Sequence, residues 1–121
     1  MSKPVKWLKK PRKKDYPAAQ SYLSLSFGQK RAAQLIRQLR HAQMRRLPAR
    51  DILRASRTPM AEVHAFDWVK QNKAIKKGRA FSPILLVCGM HGEALVIADG
   101  FHRLCAAFAH DQDASVLFKL A

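Results

Sequence analysis

Acidic residues are scarce in this chain of 121 residues. It carries 8 Asp and Glu against 23 Lys and Arg, which gives a formal net charge of +15 with neutral histidines. So few carboxylates provide too little for a metal cluster built from acidic side chains. A positive excess of this size attracts polyanions through counterion release, so the composition favours nucleic acid as a partner.

Cysteines are few, and no apolar run is long. The only two, Cys88 and Cys105, lie inside apolar runs rather than at the spacing of a disulfide scaffold, which favours a reducing compartment. No run approaches the ~18 apolar residues of a membrane span, and the basic N-terminus lacks the apolar segment of a secretory signal. We therefore expect a soluble cytoplasmic protein without a membrane partner, and the nucleoid is a candidate location.

The positive charge is concentrated in the first two-thirds of the chain. Residues 1–80 contain 21 Lys and Arg against 4 acids, whereas residues 81–121 contain 2 against 4. Residues 1–14, "MSKPVKWLKKPRKK", include no acid and two helix-breaking prolines. This pattern predicts a flexible basic arm over 1–14, with Trp7 as a candidate for stacking on a base, followed by one domain over 15–121.

The segment from 28 to 57 carries nine basic residues and a single acid, Asp51. Pairing within the segment cannot neutralise these cations, although a solvated helix face remains the alternative interpretation. The basic segment 28–57 and the arm together predict the residues that contact nucleic acid. These are Lys9, Lys10, Arg12, Lys13, Lys14, Lys30, Arg37, Arg40, Arg45 and Arg46.

Apolar spacing predicts three helices in the N-terminal part. Asp15 is expected to cap the first, with Pro17 in its first turn. The second has apolar residues at i, i+3, i+4 and i+7, namely Ala32, Leu35, Ile36 and Leu39. Residues 43–47 are a candidate strand, and "ARDIL" is a candidate helical turn. Thr58-Pro59 begins the third helix, which ends near Gly78 with these residues inward: Met60, Val63, Phe66 and Val69.

The C-terminal part reads as a hairpin, a helix and a strand. "PILLVC" and "EALVIA" flank a glycine-bounded turn, which predicts a β-hairpin. Residues 101–110 predict an amphipathic helix with these residues inward: Phe101, Leu104, Cys105 and Phe108. Val116–Leu120 is predicted as the final strand. The sequence therefore predicts a small α+β domain with N-terminal helices, a β-hairpin, and a helix packed on a small mixed sheet.

The junction "ADGFHR" joins the second hairpin strand to this helix. Gly100 allows a sharp bend, and the first helical amides lack intrahelical acceptors, so an anion can bind there. Arg103 is expected to face away from the core, where it can hold a phosphate, and His102 can donate to the same oxygens. The alternative is that Asp99 caps the helix while His102 and Arg103 lie in solvent.

These residues carry a resemblance. "VIADGFHRLCAAFAHDQDASVLFKL" resembles the core of the ParB/sulfiredoxin-like superfamily, whose motif is matched by Gly100, Arg103 and Ala106. The likeness extends from about residue 44 to the end and is closest to small stand-alone bacterial members of unassigned function. It implies phosphate or nucleotide binding at Asp99, Gly100, Phe101, His102 and Arg103, with a nucleoside triphosphate and Mg²⁺ as the candidate ligand.

The chain also departs from this superfamily. Sulfiredoxins place a catalytic cysteine directly after the motif glycine, where this chain has Phe101, so their reductase chemistry is not expected. The helix-turn-helix and dimerisation domains of ParB proteins are not expected within these 121 residues, and no oligomeric state is predicted.

A zinc site competes with the phosphate site. Cys88-x-x-His91 and His102-x-x-Cys105 have zinc-ligand spacing, but both cysteines lie in apolar patterns.

Two functions are considered for the chain. The alternative function is an enzyme that acts on a phosphate-containing substrate, nuclease-like or phosphotransferase-like, with His102 as acid or base. The leading expectation is a non-catalytic, ParB-like domain that binds phosphate or nucleotide and associates with nucleic acid, with no catalytic or metal-ligating residue assigned.

Overall fold

A computed structural model describes residues 4–65 and 67–121. Its described residues form six helices: α1 (Asp15–Phe27), α2 (Gln29–His41), α3 (Ala49–Ala55), α4 (Met60–Val63), α5 (Val69–Lys76) and α6 (Phe101–His110). They also form six strands: β1 (Lys6–Trp7), β2 (Arg45–Pro48), β3 (Ala80–Phe81), β4 (Ile84–Val87), β5 (Val96–Asp99) and β6 (Ser115–Leu120). The α+β class is confirmed.

The main sheet has the strand order β2-β6-β4-β5. β4 and β5 form the antiparallel hairpin that the sequence predicts, β6 lies parallel to β4, and β2 pairs antiparallel with β6. The sheet is therefore mixed, and β2 and β5 are its two edges.

Each face of the sheet is covered by helices. On one face, Leu85, Val87 and Ala98 pack with apolar residues of α1 and α2. On the other, Ile84, Leu86 and Phe118 pack with residues of α3 and α6, among them Leu104. The inward residues predicted for α2 and α6 are buried or half-buried as expected, because their spacing places them on one stripe of each helix.

The prediction of one continuous helix from Thr58 to about Gly78 is wrong. The chain forms α4 and α5 with a break between them, where Trp68 takes a left-handed backbone conformation with φ of 55°. The buried Trp68 indole donates to the Val63 carbonyl at 2.9 Å, which replaces a helical bond at the end of α4. Consequently Met60 and Val69 are exposed rather than inward; Phe66 lies outside the described residues.

Residues 4–14, which belong to the predicted flexible arm, contact the rest of the domain. Lys6–Trp7 pairs parallel with Ala80–Phe81, and Pro11 is buried. The Trp7 indole donates to the Ser115 carbonyl at 2.8 Å and packs edge-on against Phe81, so this ring is held by the domain and is not placed to stack on a base. The basic side chains of the segment stay exposed; residues 1–3 lie outside the described part.

None of the described helices has the length and apolar character needed to cross a membrane.

Candidate functional site

The β5–α6 junction bends at Gly100, as predicted. Its φ is 101°, and a Cβ there would lie 2.6 Å from Ile84 Cδ1 and 2.8 Å from Arg103 Nη2. The left-handed backbone conformation favours glycine, and a Cβ would also make the ends of the Ile84 and Arg103 side chains shift. No side chain caps the first turn of α6, so the alternative in which Asp99 caps this helix is wrong.

Arg103 does not face solvent as the helical spacing predicts. Its Nε donates to the Ser82 carbonyl at 2.9 Å, and its Nη2 donates to the Pro83 carbonyl at 3.4 Å and to Asp99 Oδ2 at 3.0 Å. The same Nη2 lies 3.7 Å from Asp15 Oδ2. Arg103 is in the first turn of α6, beside the ends of β4 and β5, so its side chain folds onto those strand ends. Its guanidinium is committed to internal acceptors.

Asp15 extends this network to the N-terminal part of the chain. It is the first residue of α1 rather than its cap, and its carboxylate is buried. Ser82 Oγ donates to Asp15 Oδ2 and accepts the backbone N–H of Arg12 at 3.1 Å. The network of Asp15, Ser82, Asp99 and Arg103, which we call the arginine tie, therefore joins α1, the connection between β3 and β4, β5 and α6.

The burial of Asp99 makes its contribution to stability depend on pH. Burial raises the pKa of the Asp99 carboxyl above its ordinary 3.8, and the Arg103 hydrogen bond only partly opposes this shift. The folded protein therefore binds this proton more readily than the unfolded chain, so the contribution of Asp99 is present at low pH and is lost as pH rises through the folded pKa.

We predict that the stability of the wild-type protein relative to Asp99→Asn increases as pH falls through the acid range, because only the wild-type carboxyl gains a proton. Urea unfolding of both proteins at several pH values measures the difference. A difference that stays constant with pH would contradict the raised pKa.

A cavity of about 710 Å³ adjoins the arginine tie. β5 and its flanks line it from residue 94 to 100, α1 forms one wall, and the segment from Ser56 to Glu62 contributes another part of the lining. Phe101, His102 and Arg103 also line it, so the structure brings all five residues of the predicted phosphate site to this cavity.

The charges around the cavity do not fit a triphosphate with Mg²⁺. Among the described residues, Arg103 is the only Lys or Arg in its lining, and that cation is bonded to Asp99 and to backbone carbonyls. Glu62 and Asp99 add negative charge to the lining. The uncapped amides of α6 favour an anion, but two carboxylates with no uncommitted Lys or Arg oppose a strongly charged one.

The cysteines and histidines do not come together. Cys105 is fully buried on α6, whereas Cys88 is exposed after β4. His102 is exposed, and its ring lies 5.5 Å from the Trp68 ring centroid. Within residues 4–65 and 67–121, no group of three or more His, Cys, Asp or Glu side chains is placed to hold a metal ion.

The two thiols should differ in reactivity. Burial raises the pKa of Cys105 to about 12, so its thiolate is scarce at neutral pH, and its side chain has no access to reagent. We predict that iodoacetamide modifies the native protein once, at Cys88, and twice after unfolding, as measured by mass spectrometry. Native modification of Cys105 at a similar rate would contradict this account.

The basic residues predicted to contact nucleic acid are all exposed. Four of them lie close in the chain to the start of α1, or to the end of α2 and the start of β2. The Arg40 guanidinium lies over the Tyr16 ring at 4.5 Å, two residues from Lys14. Arg45 pairs with Phe118 in the sheet and lies over that ring at 5.6 Å. We call Lys13, Lys14, Arg40 and Arg45 the cationic end.

Lys119 is buried beneath the cationic end, a role that the sequence analysis missed. Its Nζ donates to Tyr16 Oη at 3.2 Å and to the Arg40 carbonyl at 3.0 Å. A lysine in the middle of an apolar strand, "VLFKL", is the signal that marks such a position. Asp15 and Ser82 were also missed as partners of Arg103, and no local pattern reveals them.

No protein-family model matches the chain, and comparisons with curated proteins and with solved structures give no match.

Proposed function

We propose that this protein is a non-catalytic nucleic-acid-binding domain that contacts phosphates through the cationic end and the basic residues around it. One observation carries the proposal. Among the described residues, every Lys and Arg except Arg103 and Lys119 is exposed, and of those exposed cations only Arg50 forms an ion pair with a carboxylate. An excess this large repels itself in the folded state, and a polyphosphate relieves that repulsion.

The cationic end suits the sugar-phosphate backbone more than base edges. The Arg40 and Arg45 guanidinium groups lie over aromatic rings, and both side chains are exposed, so their N–H groups can reach phosphate oxygens. The Trp7 indole donates to the Ser115 carbonyl and is not placed to stack on a base. Backbone contacts of this kind position a protein on nucleic acid without reading its sequence.

Salt dependence of binding tests the proposal. Fluorescence anisotropy with labelled DNA and RNA duplexes of one sequence, across a KCl series, should show affinity that falls steeply with salt. Four phosphate contacts at the cationic end correspond to a slope of about −3.6 in a plot of log affinity against log salt for DNA. Absence of binding at low salt, or a slope near zero, would contradict the proposal.

Nucleotide binding at the cavity stays a prediction. The internal bonds of Arg103 and the negative charges of Glu62 and Asp99 in the lining disfavour such binding. Calorimetry of the full chain with CTP, ATP and GTP tests it directly. Saturable, base-selective binding would support the site implied by the superfamily resemblance, whereas heats equal to dilution would remove it and leave the basic surface as the functional feature.

A further inference from the structure

The two edges of the main sheet differ in how they are protected. The β2 edge carries Arg45, Arg46 and Pro48, and charged residues and proline at an edge discourage pairing with another strand. The β5 edge has no Lys, Arg or Pro, and its one charge, Asp99, is paired with Arg103. Its register with β4 shifts only toward the Asp99 end, so Val96 and Ile97 remain regular.

The cavity follows this unprotected edge. Residues 94–100 line it consecutively, and at about 3.3 Å per residue such a segment is about 20 Å long. Just before β5, the Leu95 N–H donates to the Ala55 carbonyl at the end of α3 at 3.0 Å, so a main-chain amide on this side is hydrogen-bonded by a segment outside the sheet. An extended chain is therefore geometrically suited to the cavity.

The α1 wall of the cavity is uncharged. Residues 16–29 contain no Lys, Arg, Asp or Glu in a chain whose net charge is +15. Tyr22 on this wall is 54% exposed, and Leu25 on the same helix is 85% exposed. This neutral, partly apolar surface has no cation to offer nucleic acid, but it suits side chains of a polypeptide.

Glu62 gives the cavity a preference in charge. It lines the cavity and is exposed, and among the described residues it forms no ion pair with any Lys or Arg. The Arg103 charge in the lining is already balanced by Asp99. A ligand with one positive side chain therefore complements this cavity better than an anion does.

We infer that the cavity binds an extended segment of a partner protein, which adds as a strand to the β5 edge and directs a Lys or Arg toward Glu62. In this mode of recognition, main-chain hydrogen bonds give affinity and side-chain pockets give specificity. The inference is independent of nucleic-acid binding, because it uses a different surface, whose α1 wall is uncharged. A second copy of this chain and a nucleotide are the competing occupants.

Blocked peptides of alternating valine and threonine test the inference. One panel has a central lysine, with its two flanking positions varied among apolar residues. A matched panel has a central glutamate, and a third has alternate backbone amides N-methylated. Amide NMR spectra of the full chain, recorded during titration, give both the affinity and the location of binding. Glu62→Lys removes the proposed charge partner, and Glu93→Lys makes the same charge change at an exposed residue outside the lining.

We expect lysine peptides to shift the amides of residues 94–99, and both the glutamate and the N-methylated panels to bind more weakly. Glu62→Lys should weaken lysine-peptide binding about tenfold, which corresponds to about 1.4 kcal/mol, while Glu93→Lys changes it less than about twofold. Failure of every lysine peptide to bind, shifts located elsewhere, or equal effects of the two variants would overturn the inference. Dimerisation that buries residues 94–99, or CTP that displaces the peptide, would assign the cavity to another occupant.

Discussion

Replacing Arg103 with methionine is expected to lower the free energy of unfolding by about 2–4 kcal/mol. The substitution leaves the buried Asp15 carboxylate with Ser82 as its remaining side-chain partner, and it leaves Asp99 without its cation. It also removes the donors to the Ser82 and Pro83 carbonyls. A domain of this size is stable by only about 5–15 kcal/mol, so the loss is a large fraction of the total.

Urea unfolding monitored by circular dichroism measures this effect. Arg31→Met is the matched control, because Arg31 is exposed and its one side-chain hydrogen bond is to Gln34 on the same helix. That variant should stay within about 0.5 kcal/mol of wild type. Adding Asp99→Asn to Arg103→Met should recover part of the loss, since it removes one of the two unpaired carboxylates. An Arg103→Met protein as stable as the Arg31→Met control would show that the arginine tie does not hold the fold.

Neutralising the cationic end is expected to reduce DNA affinity by about 10²–10³-fold at physiological salt and to reduce the salt slope by about 3.6. The variant carries Gln at all four positions: Lys13, Lys14, Arg40 and Arg45. All four side chains are exposed and none belongs to either apolar cluster, so the substitutions remove charge without deleting a core side chain. Anisotropy across the same KCl series measures the affinity and the slope together.

The control removes the same number of charges from another region. Lys70, Lys73, Lys76 and Lys77 lie on α5 or at its C-terminal end, and all are exposed. If net charge alone governed binding, both quadruple variants would lose affinity equally. We predict that the α5 variant changes the slope by less than about 1, because its lysines lie outside the phosphate contacts. Equal losses would refute a localised interface.

Sequence alone predicts those parts of the fold whose cause is local. The stripe of Ala32, Leu35 and Leu39 fixes α2, and the glycine-bounded turn between two apolar runs fixes the β4–β5 hairpin. The break between α4 and α5 escapes such reading, because the apolar period continues across it. At this break Trp68 takes a left-handed backbone conformation and its buried indole donates to the Val63 carbonyl, a contact that depends on the packed structure.

The candidate site divides in the same way. The bend at Gly100 and the start of α6 follow from the residues at the junction. The role of Arg103 does not, since its partners Ser82 and Asp15 are distant in sequence and meet it only when α1 and β4 have packed. Helical spacing predicts which residues of α6 face the core. It does not show that the Arg103 side chain, in the first turn, can fold back onto neighbouring strand ends.

An amide NMR titration of the full chain with a DNA duplex tests the central claim most directly, because it shows where phosphates bind. The account predicts the largest shifts at the cationic end, over residues 12–16 and 40–46, with residues 99–103 unchanged. Shifts centred on residues 99–103 would contradict it, and would mean that Arg103 exchanges its internal acceptors for a phosphate.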